Sequence, residues 1–223
     1  MKNLTKKLLL ATGLLSILSS VSFAAEEVTS PVSANITIAS DYVWRGKTQS
    51  SDKKAVQGGL DYDLDNGFSI GVWGSNADWA NNMSAEFDIY GSYSDELNSS
   101  IGYELGYISY TYNTKDNNFK EAYITGSYDD FGLTYYKGIG DAANYVEGSY
   151  STSVSDIDMS LTIGQYSNAS TSGDTSGYKM YGFSFGTSYA GLDYALAFTK
   201  VNDNTTGADM DPKNTVFSVS KSF

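Results

Sequence analysis

Thr215-Val216-Phe217-Ser218-Val219-Ser220-Lys221-Ser222-Phe223 closes the chain and alternates with period two. Thr215, Phe217, Val219, Lys221 and Phe223 share one face, and Val216, Ser218, Ser220 and Ser222 share the other, which is small and mostly polar. A soluble domain has little use for a final strand ending on an exposed aromatic. A transmembrane β-barrel does, because its last strand closes the cylinder and its terminal ring sits where lipid meets water. This stretch predicts an all-β, single antiparallel barrel in the outer membrane, with Phe217, Val219 and Phe223 as the signal that the barrel-assembly machinery reads.

The amino-terminal end agrees. Lys2, Lys6 and Lys7 precede a short apolar run, Leu8 to Leu18, and Ser22-Phe23-Ala24 has the small residues of a cleavage site. Residues 1–24 therefore read as a secretory signal peptide, since the apolar run falls short of the roughly 20 residues a spanning helix needs. Cleavage takes away three of the fourteen basic residues and none of the 26 acids, leaving residues 25–223 with a formal charge of −15. The absence of cysteine in an exported chain removes any disulfide framework. With 19 Tyr, ten Phe and 22 Gly against two Pro, the composition suits strands and tight turns.

Alternation recurs along the mature chain. Ala34, Ile36, Ile38, Ser40, Tyr42 and Trp44 read as one face of a first strand, with Asp41, Val43 and Arg45 on the other. Similar runs begin near Val56, Phe68, Ala85, Ile101, Ala122, Phe131, Val146, Met159, Tyr181 and Leu192. With the terminal run they predict about twelve strands, an even number as single-chain barrels require. Short links at Asp65–Gly67, Asp129–Asp130 and Ala190–Gly191 alternate with longer polar segments at Ser75–Ser84, Asn113–Asn118, Gly138–Ala143, Ser167–Gly177 and Asn202–Lys213. Ser94–Ser99 and Thr152–Ile157 read as links of intermediate length. Short periplasmic turns and long outer loops are the pattern of an outer-membrane barrel.

Ser40-Asp41-Tyr42-Val43-Trp44-Arg45-Gly46 resembles the opening motif of the TorF-like family of proteobacterial outer-membrane porins. Gln57-Gly58-Gly59-Leu60-Asp61, Gly71-Val72-Trp73-Gly74-Ser75, Glu86-Phe87-Asp88-Ile89-Tyr90 and Gly106-Tyr107-Ile108-Ser109-Tyr110-Thr111-Tyr112 follow in matching order. The resemblance implies a barrel and a channel, and supplies neither a solute nor catalytic residues.

Strand charges should avoid lipid, where Arg or Lys at the midplane costs roughly 2–4 kcal/mol. Asp41, Asp61, Asp63, Glu86, Asp88, Glu104, Glu121, Glu147 and Asp193 all take the polar parity and, with Arg45, are the expected pore lining. Arg45 is the one arginine and should pair with acids of the outer half of the lumen; the unpaired acids would then favour cations or neutral solutes over anions. Trp73, Tyr90, Tyr123 and Tyr145 share this inward parity.

Without histidine or cysteine the chain lacks Ser-His-Asp machinery, a thiol nucleophile and Cys/His metal sites, so no enzyme, cofactor or metal site is expected. Glu86-x-Asp88 looks like a paired acid site, but the period of a strand explains the spacing. Asp203, Asp209 and Asp211 make an acidic loop that reads as solvated. The acidic balance argues against nucleic acid. The expected partners are outer-membrane lipids and lipopolysaccharide, the barrel-assembly machinery and small solutes. A non-conducting surface-interaction barrel is the main alternative, and a soluble β-rich periplasmic binding module is the third reading.

Overall fold

A computed structural model describes residues 30–64, 66–167, 177–203 and 212–223. The proposed signal peptide, Asp209 and Asp211 lie outside the described residues, as does the side chain of Asp203. Twelve antiparallel strands close a barrel: β1 (Val32–Ala39), β4 (Ala55–Asp63), β5 (Phe68–Asn76), β6 (Ala85–Asn98), β7 (Ile101–Tyr112), β8 (Phe119–Tyr128), β9 (Phe131–Ile139), β10 (Asn144–Val154), β11 (Ile157–Ser167), β12 (Tyr178–Tyr189), β13 (Leu192–Asp203) and β14 (Lys213–Ser222). Each strand pairs with its sequence neighbour in the wall. The ring closes where β14 meets β1, with Ala39 opposite Ser218 and Asn35 opposite Ser222. The backbone of Phe223 completes the seam by donating to Ala34 O at 2.9 Å and accepting from Ala34 N at 3.2 Å. Closure leaves no edge strand in the barrel wall, which is the condition for a sheet to stand in hydrocarbon.

Period two sorts the side chains. Ile36, Ile38, Val56, Leu60, Ile70, Ile89, Ile124, Leu133, Leu161 and Ile163 stand outward and exposed around the wall, an apolar belt that nothing among the described residues covers. At the end carrying the tight turns, outer aromatics gather: Phe68 packs 4.8 Å from Tyr93, and Phe131 packs 4.9 Å from Tyr150. Phe217 and Phe223 are outward and exposed, as the terminal alternation predicts. Lys221 bends to this end, where its Nζ donates to Gly191 O at 2.9 Å.

Three expectations need correction. The first strand does not run to Arg45. It ends at Ala39, and the chain turns inward as a small hairpin of β2 (Val43–Trp44) and β3 (Lys47–Thr48). Arg45 and Gly46 form its two-residue turn, both at positive φ (48° and 83°), the conformation that matches the twist of a hairpin. Tyr42 and Trp44 therefore leave the expected lipid face and sit inside. The links near Ser94–Ser99 and Thr152–Ile157 are not intermediate loops either. β6 and β7 are joined through Ser99 and Ser100, and β10 and β11 through Ser155 and Asp156, because Ser94, Asp95, Glu96, Thr152 and Ser153 are paired in the ladder. A ladder bond needs only backbone, so polar residues near a barrel rim do not end a strand. With these changes, the tight turns and the carboxy terminus share one end of the barrel and the longer connections share the other.

Candidate functional site: the lumen and its inserted hairpin

The inner wall is built from a repeated local unit. Tyr90 lies opposite Gly71, and Tyr123 lies opposite Gly106, in adjacent strands. A Cβ on Gly71, Gly106 or Gly164 would overlap the ring of Tyr90, Tyr123 or Tyr145 respectively. Each glycine thus gives a ring room to lie on the wall. The phenols then reach carboxylates: Tyr90 donates to Asp61, Tyr123 to Glu104, and Tyr145 to Glu147 at 2.7 Å. Tyr112 donates to Glu86 at 3.0 Å and Tyr110 to Glu121 at 3.0 Å. Five tyrosine–carboxylate pairs line the sector from β4 to β10. The opposite sector is lined by small residues, among them Ser160, Thr162, Ser184, Ala195, Ala197, Thr199 and Ser218.

The hairpin spans the lumen at the loop end. Arg45 at its tip forms a bidentate pair with Glu121 on β8, with both N···O distances 2.8 Å and both side chains 1% exposed. Its guanidinium lies 4.2 Å from the ring centroid of Trp44, 4.2 Å from Tyr145 and 4.6 Å from Tyr136. Paired charge and aromatic faces together offset the desolvation of a buried cation. Trp44 packs edge-on to Tyr110 and Tyr166, and Tyr42 packs edge-on to Trp73 at 5.4 Å. Lys47 Nζ lies 4.2 Å from the Tyr178 ring, and Asn214 donates to Gly46 O at 2.9 Å. Any side chain at Gly46 would strike Met180 and Val201.

At the hairpin's base, Asp41 accepts from Ser50 and Thr48, each at 2.7 Å. Burial pushes its carboxyl above the ordinary range, while those two hydroxyls pull it back down. Lys53 pairs with Asp78 of the next connection, fastening the hairpin to the neighbouring loop.

Of the sequence-predicted lining residues, Asp41, Arg45, Glu86, Asp88, Glu104 and Glu121 are buried in the barrel. Asp61, Glu147 and Asp193 are half-buried on the inner wall, and Asp63 is exposed at the turn end. Arg45, Asp41 and Glu121 are brought to one end of the lumen; Asp61, Asp63 and Asp193 stay apart from them. Arg45 arrives on the inserted hairpin rather than on a strand. Sequence reading missed Tyr110, Tyr112, Tyr136, Tyr166 and Tyr178 as inner aromatics. Carrying the period-two parity of β7 and β9 past Tyr107 and Tyr135 would have placed the first three of them.

Residues 24–223 match Gcw_chp, described as a bacterial protein of unknown function. The chain belongs to the Gcw_chp family. No curated protein matches it in sequence. Among solved structures it resembles the KdgM porin, with a TM-score of 0.60 at 14% identity over 86% of this chain and 98% of that one. KdgM porin in complex with disordered oligogalacturonate gives 0.58 at 14% identity over 86% and 97%. LpxR from Salmonella typhimurium gives 0.51 at 10% identity over 86% and 99%. At such identities the likeness is one of fold: this Gcw_chp chain has the closed barrel architecture of outer-membrane porins.

Proposed function

We propose that this protein is an outer-membrane porin, exported with residues 1–24 removed and inserted by the barrel-assembly machinery. On this reading it passes small solutes through an acidic lumen that favours cations and neutral molecules. Its outer belt meets lipid and lipopolysaccharide, and its longer connections face outward. The resemblance to TorF-like porins fits the same reading. The observation that supports it is the row of carboxyl side chains on the inner wall. Glu86, Asp88, Glu104 and Glu147 face the lumen, whereas its one arginine is already neutralised by Glu121. Fields from such acids, in a narrow low-dielectric passage, raise the local cation concentration.

Reversal potentials in a potassium chloride gradient across planar bilayers test the reading. Cation preference is expected, and anion preference would refute it. The close packing of the hairpin around Arg45 favours a second reading, a non-conducting surface barrel, which consistently silent bilayers would support.

A further inference from the structure

Two acids of the loop-end wall take no part in the Arg45 pair. Glu86 and Asp88 are successive inward residues of β6, 3% and 0% exposed. Glu86 Oε1 accepts from Tyr112, but Glu86 Oε2 and both oxygens of Asp88 are buried without a hydrogen-bond partner. Gln57 Oε1, reached from Glu86 through Ser75 along the same rung of the sheet, is likewise orphaned. The nearby basic groups are engaged elsewhere: Arg45 with Glu121, Lys47 over Tyr178 and Lys53 with Asp78. The two carboxyls stand against each other, with the Tyr42 phenol beside Glu86 and the Thr111 backbone beside Asp88, and no basic group acts on either; buried acids so crowded are costly in a dry interior, and native structures rarely keep them so.

The walls around these oxygens are aromatic. Trp73 stands directly opposite Asp88, Tyr112 opposite Glu86, and Tyr42 of the inserted segment packs edge-on to Trp73. A hard divalent metal calls for six or more oxygen ligands, more than these side chains present. A primary ammonium group carries three N–H donors, which matches the three orphaned carboxylate oxygens. Its positive charge and alkyl stem suit the faces of Trp73, Tyr42 and Tyr112.

We propose that Glu86 and Asp88, walled by Trp73, Tyr42 and Tyr112, form a binding site for the ammonium head of a small amine at the loop end of the lumen. The proposal rests on the cation-favouring reading above and names the class of solute. Tyr42 belongs to the segment that carries the hairpin and is buried with the two acids, so an occupant reaches them only as that segment moves.

The test is calorimetric titration of the detergent-folded barrel with methylammonium chloride, with sodium chloride and calcium chloride as parallel titrants. Saturable methylammonium binding is expected, weakened about tenfold or more in Glu86→Gln and Asp88→Asn. Heat-modifiable gel mobility checks that each variant has folded. Should either variant fail to fold, the wild-type protein still decides the matter through nuclear Overhauser contacts from the methylammonium methyl protons to the rings of Trp73 and Tyr112. Absence of binding, equal binding in both variants, absence of those contacts, or calcium binding in place of the amine would overturn the site. Binding without bilayer conductance would sustain the site and count against the porin reading. Cation-selective conductance without binding would do the reverse.

Discussion

Glu121→Gln should release the hairpin while leaving the barrel closed. The substitution keeps the shape of the side chain and removes the negative charge opposite Arg45, which stays ionised at any working pH. Because both partners are 1% exposed, breaking the pair costs about 3–5 kcal/mol. The remaining anchors are individually smaller: each edge-on contact of Trp44 is worth about 0.5–1.5 kcal/mol beyond burial, and the Asn214–Gly46 hydrogen bond about 0.5–1.5 kcal/mol. A loss of that size shifts the docked-to-released ratio by roughly two to four orders of magnitude. No strand pairing is touched, so the barrel ladder survives. The chain has no cysteine, which makes a single Gln49→Cys substitution a background-free reporter of hairpin burial. Its rate of modification by a charged thiol reagent should rise steeply when Glu121→Gln is added, and bilayer conductance should rise with it. Pairing Arg45→Met with Glu121→Leu should restore much of the protection, since no buried charge is then left unpaired and only the Tyr110 phenol loses its acceptor. An unchanged labelling rate in Glu121→Gln, or loss of the barrel itself, would refute the argument that this pair holds the hairpin in place.

Gly106→Ala should destabilise the barrel by about 1–3 kcal/mol, because the new methyl overlaps the Tyr123 ring and breaks the Tyr123–Glu104 bond; urea titration in detergent micelles reads this, and a neutral result would mean the ring has room to move. Ile163→Arg, at mid-strand on the outer belt, should cost about 2–4 kcal/mol in lipid vesicles, against about 0–1 kcal/mol for Tyr189→Arg beside a tight turn. Equal costs would argue that the belt does not face hydrocarbon. Deleting Phe223 removes the two backbone hydrogen bonds that seal β14 to β1, and should slow folding into vesicles as followed by heat-modifiable mobility; an unaffected rate would show the seam is fixed elsewhere.

The barrel was legible in the chain because its determinant is local. Alternation in Phe217–Phe223, Ile36–Ile38 or Leu161–Ile163 needs only the pleat to become an inside and an outside, and an even strand count with alternating link lengths follows from the same reading. The acids on the inner parity, from Asp61 to Asp193, were readable for the same reason: a carboxylate cannot sit at lipid depth. The tertiary structure alone decided that the alternation of Ser40–Arg45 would not continue β1. A two-residue turn at Arg45–Gly46 carries no strong local signal, since Arg45 is not a residue that favours positive φ. The chain folds inward there because Glu121, Tyr136 and Tyr145, distant in sequence, converge to stabilise a buried guanidinium. Likewise, Tyr112 and Trp73 come to flank Glu86 and Asp88 only through the cross-strand register, which a closed ring fixes and a single strand cannot.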